Sequence, residues 1–460
     1  MHAPVPKTSR RWLTLAAMSL GYGVVQLDVT IVNVAIASIG TSFGGGVAAL
    51  QWVVNAYTIA LAALILTAGA LGDRIGAKRV FMAGFAIFTL ASLACALAPT
   101  LMVLIAARAV QGLAAAILVP NSLALLNHAY PRDAERGQAV GIWAAGASLA
   151  LTSGPLAGGA LITLAGWRSI FLVNIPIGLI GLLLTWRNAD ETTKSPRHQL
   201  DLPGQAAAIM ALGCLAGALI EGGALGWRDG FVLAGFAVAL IAAIAFVLIE
   251  ARSAQPMLPL SLFRNRQFGT TALIGLLINI AFYGLIFVFS VYFQQSEGMS
   301  VLYTGLAFVP LMAAVLFPNL IAPSIAARIG ARATIAAGAA ITALSCLALL
   351  GIDHGTGYGT IVVQLMALGA GLGLLVPPLT STLMGSVDKS RSGVAAAALN
   401  SMRQTGSVLG VALFGSLAAS AGIIPGLRLA LIIAAALLAS SASVALVGIP
   451  HKGKAHLSRP

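Results

Sequence analysis

Residues 23–37 read GVVQLDVTIVNVAIA, an apolar run with one charge, Asp28, near its middle. A carboxylate in such a setting needs a partner or a task, because burying an unpaired charge is costly. Away from the ends of the apolar stretches the basic residues are Arg108 and Arg403. The acidic rival to Asp28 is Glu221, near a stretch end beside Trp227 and Arg228. Desolvation favours the neutral form of a carboxyl group, and a nearby guanidinium favours the charged form. A group poised between the two can take a proton from one side and lose it on the other. That is carrier chemistry. Bond-breaking constellations are missing: there is no HExxH and no GxxxxGK[ST]. Three cysteines (Cys95, Cys214, Cys346) lie in apolar stretches, an odd number that suits neither disulfides nor a metal cluster. The six histidines have no ligand spacing, so neither metal nor cofactor is implied.

The elements that position Asp28 follow from composition. The 460 residues are 59% hydrophobic and 8% charged, with mean hydropathy +0.96. Soluble domains carry about 25% charged residues. Fourteen apolar stretches are each long enough to cross about 30 Å of hydrocarbon as a helix. They are 12–39, 50–71, 80–98, 101–126, 138–165, 168–188, 203–224, 230–250, 269–294, 303–327, 333–352, 358–384, 393–421 and 427–448. The first is too long and too poorly charged for a cleaved signal peptide. All but five of the 26 Lys and Arg residues fall on the tails and connections of one face. The exceptions are Arg168, Arg228 and Arg428 on the other face, with Arg108 and Arg403 inside spans. This asymmetry places both termini in the cytoplasm. It also explains the +13 net charge as a topology signal facing anionic lipid rather than a nucleic-acid surface. The connections are too short for a catalytic domain, so no enzyme is expected.

A repeat organises the spans. RIGAK (74–78) recurs as RIGAR (328–332), GLAAAILVP (112–120) aligns with GAGLGLLVP (369–377), and ERGQA (135–139) with SRSGVA (390–395). The order is kept at nearly constant offset, as in duplicated halves. The expected fold is all-α: two six-helix bundles about a pseudo-two-fold, with two inserted helices. The segments are a tail 1–11, a bundle 12–190, a linker with the extra helices 191–250, a second linker 251–268, a bundle 269–450 and a tail 451–460.

GALGDRIGAKRVF (69–81) resembles the cytoplasmic loop signature of the major facilitator superfamily, with Gly69, Leu71, Asp73, Arg74, Gly76 and Lys78 in place and Ala77 and Phe81 departing from it. LIAARAVQGLAAA (104–116) resembles its fourth-span signature through Arg108, Gln111 and Gly112. GIWAAGASLALTSGPLAGG (141–159) resembles the fifth-span antiporter signature, with Gly141, Gly154, Pro155, Gly158 and Gly159 matching and Ala150 standing where the pattern has Gly. LDVTIVNVAI (27–36) and NSMRQTGSVLG (400–410) resemble the first and thirteenth spans of fourteen-span drug:proton antiporters.

The resemblance implies proton-coupled export of amphipathic compounds by alternating access from a bacterial cytoplasmic (inner) membrane. The alternatives are a dedicated exporter of one metabolite, antibiotic or lipid, and a non-transporting membrane receptor. Partners would be small substrates, protons and lipid around a monomer, open to periplasmic partner proteins. Asp28 and Arg108 would couple protons. Counting 1.5 Å per residue puts Asp28 about 24 Å along its helix and Arg108 about 10 Å from the outer end of its own, at similar depth. In the family resembled these two spans line the central cavity. Its wall would be drawn from Asn33, Gln51, Asn55, Tyr57 and Gln111 in the first half. In the second half it would be drawn from Asn279, Tyr283, Tyr292, Asn319, Asn400, Arg403 and Gln404. Gly69, Asp73, Arg74, Gly76 and Lys78 would form a conformational latch. Gly154, Pro155, Gly158 and Gly159 would form a dry contact between the halves, since small residues let helix backbones approach closely in lipid.

Overall fold

The computed structural model describes residues 7–194, 201–253, 255–388 and 392–450. Arg197, Lys389, Arg391 and most of both tails, which contribute to the charge pattern, lie outside them. The helices are α1 (Lys7–Phe43), α2 (Val47–Ile75), α3 (Ala77–Ala96), α4 (Leu101–Ala129), α5 (Asp133–Ala165), α6 (Ser169–Leu172), α7 (Asn174–Asn188), α8 (Leu202–Leu225), α9 (Gly230–Arg252), α10 (Arg266–Val291), α11 (Val301–Ile329), α12 (Ala331–Ala348), α13 (Tyr358–Met384), α14 (Ser392–Ala421) and α15 (Ile423–Gly448). The short α6 and α7 cross together, giving 14 apolar spans among the described residues. Each falls on an expected stretch, with ends shifted by a few residues. This is a multi-pass membrane protein.

Within the first bundle α1 packs on α5, α4 on α2 and α3, and α7 on α1 and α3. The second bundle repeats the scheme: α10 on α14, α13 on α11 and α12, and α15 on α10 and α12. The repetition reaches single residues. Gly112 of α4 lies against the Tyr57 backbone of α2, and Gly369 of α13 against the Leu311 backbone of α11. These are the same positions in the two copies of the aligned repeat. A side chain at either would collide with a carbonyl, which is why both copies keep glycine. The RIGAK and RIGAR turns also match. Gly76 (φ 107°) and Gly330 (φ 90°) adopt a left-handed backbone that reverses the chain between consecutive helices.

The bundles meet along α2 with α14 and along α5 with α11. Of the inserted hairpin, α8 packs on both α2 and α14, and α9 packs on α8. Fourteen crossings return the chain to its starting face, here the basic end; the opposite one is the far end. Several between-bundle contacts fall in the far half. Gln51 Nε2 donates to the Val411 and Ala412 carbonyls (both 2.8 Å), and Ser290 Oγ donates to the Asn33 carbonyl (2.6 Å). Nearer the basic end, Asn400, Arg403 and Gln404 are only half-buried, and nothing lies within 4 Å of where a side chain on Gly137 or Gly141 would sit. The space between the bundles opens toward the basic end.

Candidate functional site

Asp28 of α1 and Arg108 of α4 form an ion pair through Oδ2 and Nη1, at 0% and 1% side-chain exposure. Similar depth, inferred from helix rise alone, is realised as direct contact. The rest of the first bundle completes the site. Gln111 lies one turn beyond Arg108 on the same face of α4, accepts from Arg108 Nη1 at 2.7 Å and donates to Asp28 Oδ1 at 3.0 Å. Asn174, at the start of α7, donates to Asp28 Oδ1 at 3.2 Å. Ser92 Oγ of α3 accepts from Gln111 (2.8 Å) and Asn174 (3.4 Å). Arg108 Nε donates to the Val53 carbonyl of α2 (3.1 Å), and its guanidinium carbon lies 4.3 Å from the Tyr57 ring centroid and 5.8 Å from that of Phe171. Five spans thus converge on one carboxylate that accepts from three donors. Cation–π contact and desolvation strengthen such a network, and missing any one partner would be expensive.

Asn55, Tyr57 and Gln111, expected on the cavity wall, have no exposure to the space between the bundles. Gln111 and Tyr57 serve the ion pair. Asn55 Oδ1 accepts from Thr58 Oγ1 at 3.4 Å. The reason is physical: a buried charge pair needs every nearby donor and acceptor, so polar residues one turn away are drawn inward. Asn33 is also buried, its amide donating to the Val29 carbonyl at 2.9 Å. Gln51 sits in the far-end seam. Ser92 and Asn174 did not stand out in the sequence, though each is a polar residue in an apolar run.

The second bundle does not repeat the charge. The repeat places Leu365, fully buried, at the position related to Arg108. Of its polar side chains, Asn400, Arg403 and Gln404 are half-buried, while Asn279 and Tyr283, expected on the cavity wall, are buried. Arg403 acts electrostatically on both Tyr283 and Tyr22, and Tyr22 stacks on Trp143 with ring centroids 4.3 Å apart. Asn400 and Gln404 flank Arg403 on α14, and Asn279 lies on α10, its amide donating to the Gly275 carbonyl at 2.7 Å. Among the described residues Arg403 has no acidic partner.

The glycines of α5 divide by face. Side chains at Gly154 and Gly158 would strike Thr30 and Ile31 of α1, within the first bundle. A methyl on Gly159 would lie 3.1 Å from the Val301 carbonyl and from the Leu302 Cα of α11, and Gly305 of α11 abuts the Pro155 carbonyl. So the contact between halves runs through Pro155 and Gly159, while Gly154 and Gly158 hold α1 against α5. Helical period explains the split: residues 155 and 159 share one face, and 154 and 158 another.

At the basic end Lys78 Nζ donates to the carbonyls of Trp186 (3.0 Å) and Ala189 (2.8 Å). Glu191 caps α3, accepting from the Lys78 and Arg79 amides at 2.9 and 3.3 Å. These contacts of the loop motif stay inside the first bundle. Gly69 approaches Pro120, while Asp73 and Arg74 are exposed.

The Major Facilitator Superfamily profile matches residues 18–411. The chain belongs to the Major Facilitator Superfamily. Superfamily relatives include the methylenomycin A resistance protein of Streptomyces coelicolor, 38% identical over 90% of this chain and 88% of that one. The multidrug resistance protein Stp of Mycobacterium tuberculosis is also 38% identical, over 89% of this chain and 76% of its own. Among solved structures, a bacterial homolog of the human lysosomal transporter Spinster superposes with a TM-score of 0.68 at 17% identity, covering 97% of this chain and 98% of that one. The human organic anion transporter MFSD10 gives 0.62 at 16% identity, covering 96% and 100%. These structural likenesses establish a shared fold.

Proposed function

We propose that this protein exports amphipathic compounds across the bacterial cytoplasmic membrane in exchange for protons, with Asp28 as the proton carrier and Arg108 as its counter-charge. The observation that carries this reading is the buried Asp28 network inside the first bundle. Intramembrane ionisable residues mark proton and substrate pathways. In the basic-end-open state the carboxylate accepts from Arg108, Gln111 and Asn174. Moving α1 relative to α4 would part those donors and free Asp28 to accept a proton.

Substrate would enter from the basic end, against Arg403, Gln404 and Asn400 on one side and the Tyr22–Trp143 stack on the other. One unpaired cation among aromatic rings suits neutral or acidic amphipaths better than dications. Purified protein in liposomes with an imposed pH gradient should accumulate acidic and neutral aromatic compounds, and Arg403→Gln should lower transport of the acidic ones about tenfold or more, the scale of one lost charged contact. Movement of dications alone would overturn this substrate class; binding without flux would instead identify a receptor. Export of a single antibiotic is a second reading, supported by the relative named for methylenomycin A resistance. A flat response to every compound except one would select it.

Both termini would face the cytoplasm. Single cysteines placed in the 226–229 and 353–356 turns should react with impermeant reagents from outside whole cells, and cysteines at either terminus should not. An external N-terminus would reverse the direction of transport.

A further inference from the structure

The inserted hairpin carries a pair of acids that the proton-exchange reading leaves unused. Asp201 caps α8, its Oδ1 accepting from the Gly204 amide at 2.8 Å. Glu250 lies in the last turn of α9 and is 3% exposed. Its Oε2 accepts from the Leu258 amide at 2.9 Å. The second oxygen of each, Asp201 Oδ2 and Glu250 Oε1, is buried without a hydrogen-bond partner. Both point at the same spot: a methyl on Gly204 would lie 2.9 Å from each. Glycine there leaves the gap between the two oxygens open.

Among the described residues no positive charge answers this pair. Among the described residues neither acid forms an ion pair, and the charged group acting on Glu250 is Asp201 itself. From α8 the neutral Gln205 packs nearby, from α2 the neutral Thr67, and from the linker the backbone of Met257 and Leu258. Arg252, on α9 itself, is exposed. Like charges at close range disfavour the second ionisation. Two orphaned acceptors facing one gap are satisfied together by one hydrogen.

We propose that Asp201 and Glu250 form a proton-binding site, with one proton carried on Glu250 Oε1 and donated to Asp201 Oδ2. Loss of that proton to water at the basic end leaves two buried acceptors that repel. The site lies where three parts meet. Gln205 donates to the Ala63 carbonyl of α2 at 2.9 Å, and Thr67 of α2 donates to Met257 Sδ at 3.2 Å. Glu250 holds the linker turn, and the linker then buries Leu262 against Phe268, Leu383 and Leu399 of the second bundle. Proton occupancy therefore governs how firmly the linker into the second bundle is held to the hairpin and the first bundle.

The test is hydrogen–deuterium exchange of the 255–265 linker in full-length protein in lipid nanodiscs, from about pH 5 to about pH 9, corrected for intrinsic exchange. Wild type should lose protection at the Leu258 amide about tenfold as pH rises. Glu250→Gln keeps the acceptor for Leu258 and supplies a permanent donor to Asp201, so its protection should stay high and flat. Asp201→Asn, which leaves one charge instead of two, should also flatten the curve and serves if the first variant folds poorly. Protection in wild type that does not change with pH, or a Glu250→Gln curve that tracks wild type, would overturn the site. So would protection that depends on a divalent cation and is lost with chelator, which would place a metal in the gap. None of these readouts involves transport, so the result is independent of the export reading.

Discussion

Asp28→Asn should abolish proton-driven accumulation while leaving a protein that inserts into the membrane. A single proton moving through about 100 mV supplies about 2.3 kcal/mol, enough for a gradient of roughly fortyfold. Without an ionisable group at Asp28 the accumulation ratio should fall to about one, with downhill movement retained. The amide is not innocuous here. It takes the anion away from Arg108, whose side chain is 1% exposed and whose remaining partners are Gln111, the Val53 carbonyl and two aromatic faces. Breaking a buried pair from one side costs about 3–5 kcal/mol, and the surviving contacts place Asp28→Asn at the lower end of that range. The double variant Asp28→Asn/Arg108→Gln removes both charges and should recover most of the lost thermal stability without recovering accumulation. Asp28→Glu should retain part of both. Near wild-type pumping by Asp28→Asn under a pH gradient would make the pair structural and move the carrier to Glu221, which accepts from Trp52 Nε1 at 2.9 Å on the α2–α8 contact.

Gly159→Leu and Gly305→Leu should stop export for a different reason. Each places a branched side chain where helix backbones of opposite bundles touch, at Val301–Leu302 and at the Pro155 carbonyl. The far-end seam cannot close around it, so spin labels across the α5 and α11 far ends should move apart by several ångströms, with little change in melting because the bundles themselves are intact. Gly154→Leu and Gly158→Leu should behave otherwise. They wedge α1 from α5 inside one bundle and should lower melting by the scale of core overpacking, about 1–3 kcal/mol. Normal efflux and an unchanged far-end distance in Gly159→Leu would mean that this contact is not the seal.

Much of the architecture was legible in the sequence because lipid imposes a simple rule of span length, and a repeat with nearly fixed offset organises the spans. The ion pair was legible too, since Asp28 and Arg108 are so rare in their surroundings that depth alone brought them together. The surrounding shell was less so. Ser92 and Asn174 are ordinary residues until three-dimensional packing aims them at a carboxylate. Tyr57 and Gln111 were expected to face the cavity because span-level reasoning gives depth but not the helix face. The division of the α5 glycines needed the same missing rotation. Asp201 and Glu250 lie about fifty positions apart and meet only because α8 and α9 fold back on each other, a pairing that no spacing in the chain announces.

Leu365 stands where the second copy of the repeat would carry an arginine. On the export reading the duplicated halves divide their labour: the first bundle holds the buried ion pair, and the second supplies the half-buried Arg403, Asn400 and Gln404 to the opening. If Asp28 carries the driving proton, energy source and cargo recognition are physically separable. Changes along α10 and α14 could redirect the protein to a new compound without touching what drives it, and changes inside the first bundle could alter the driving ion while the cargo stays the same.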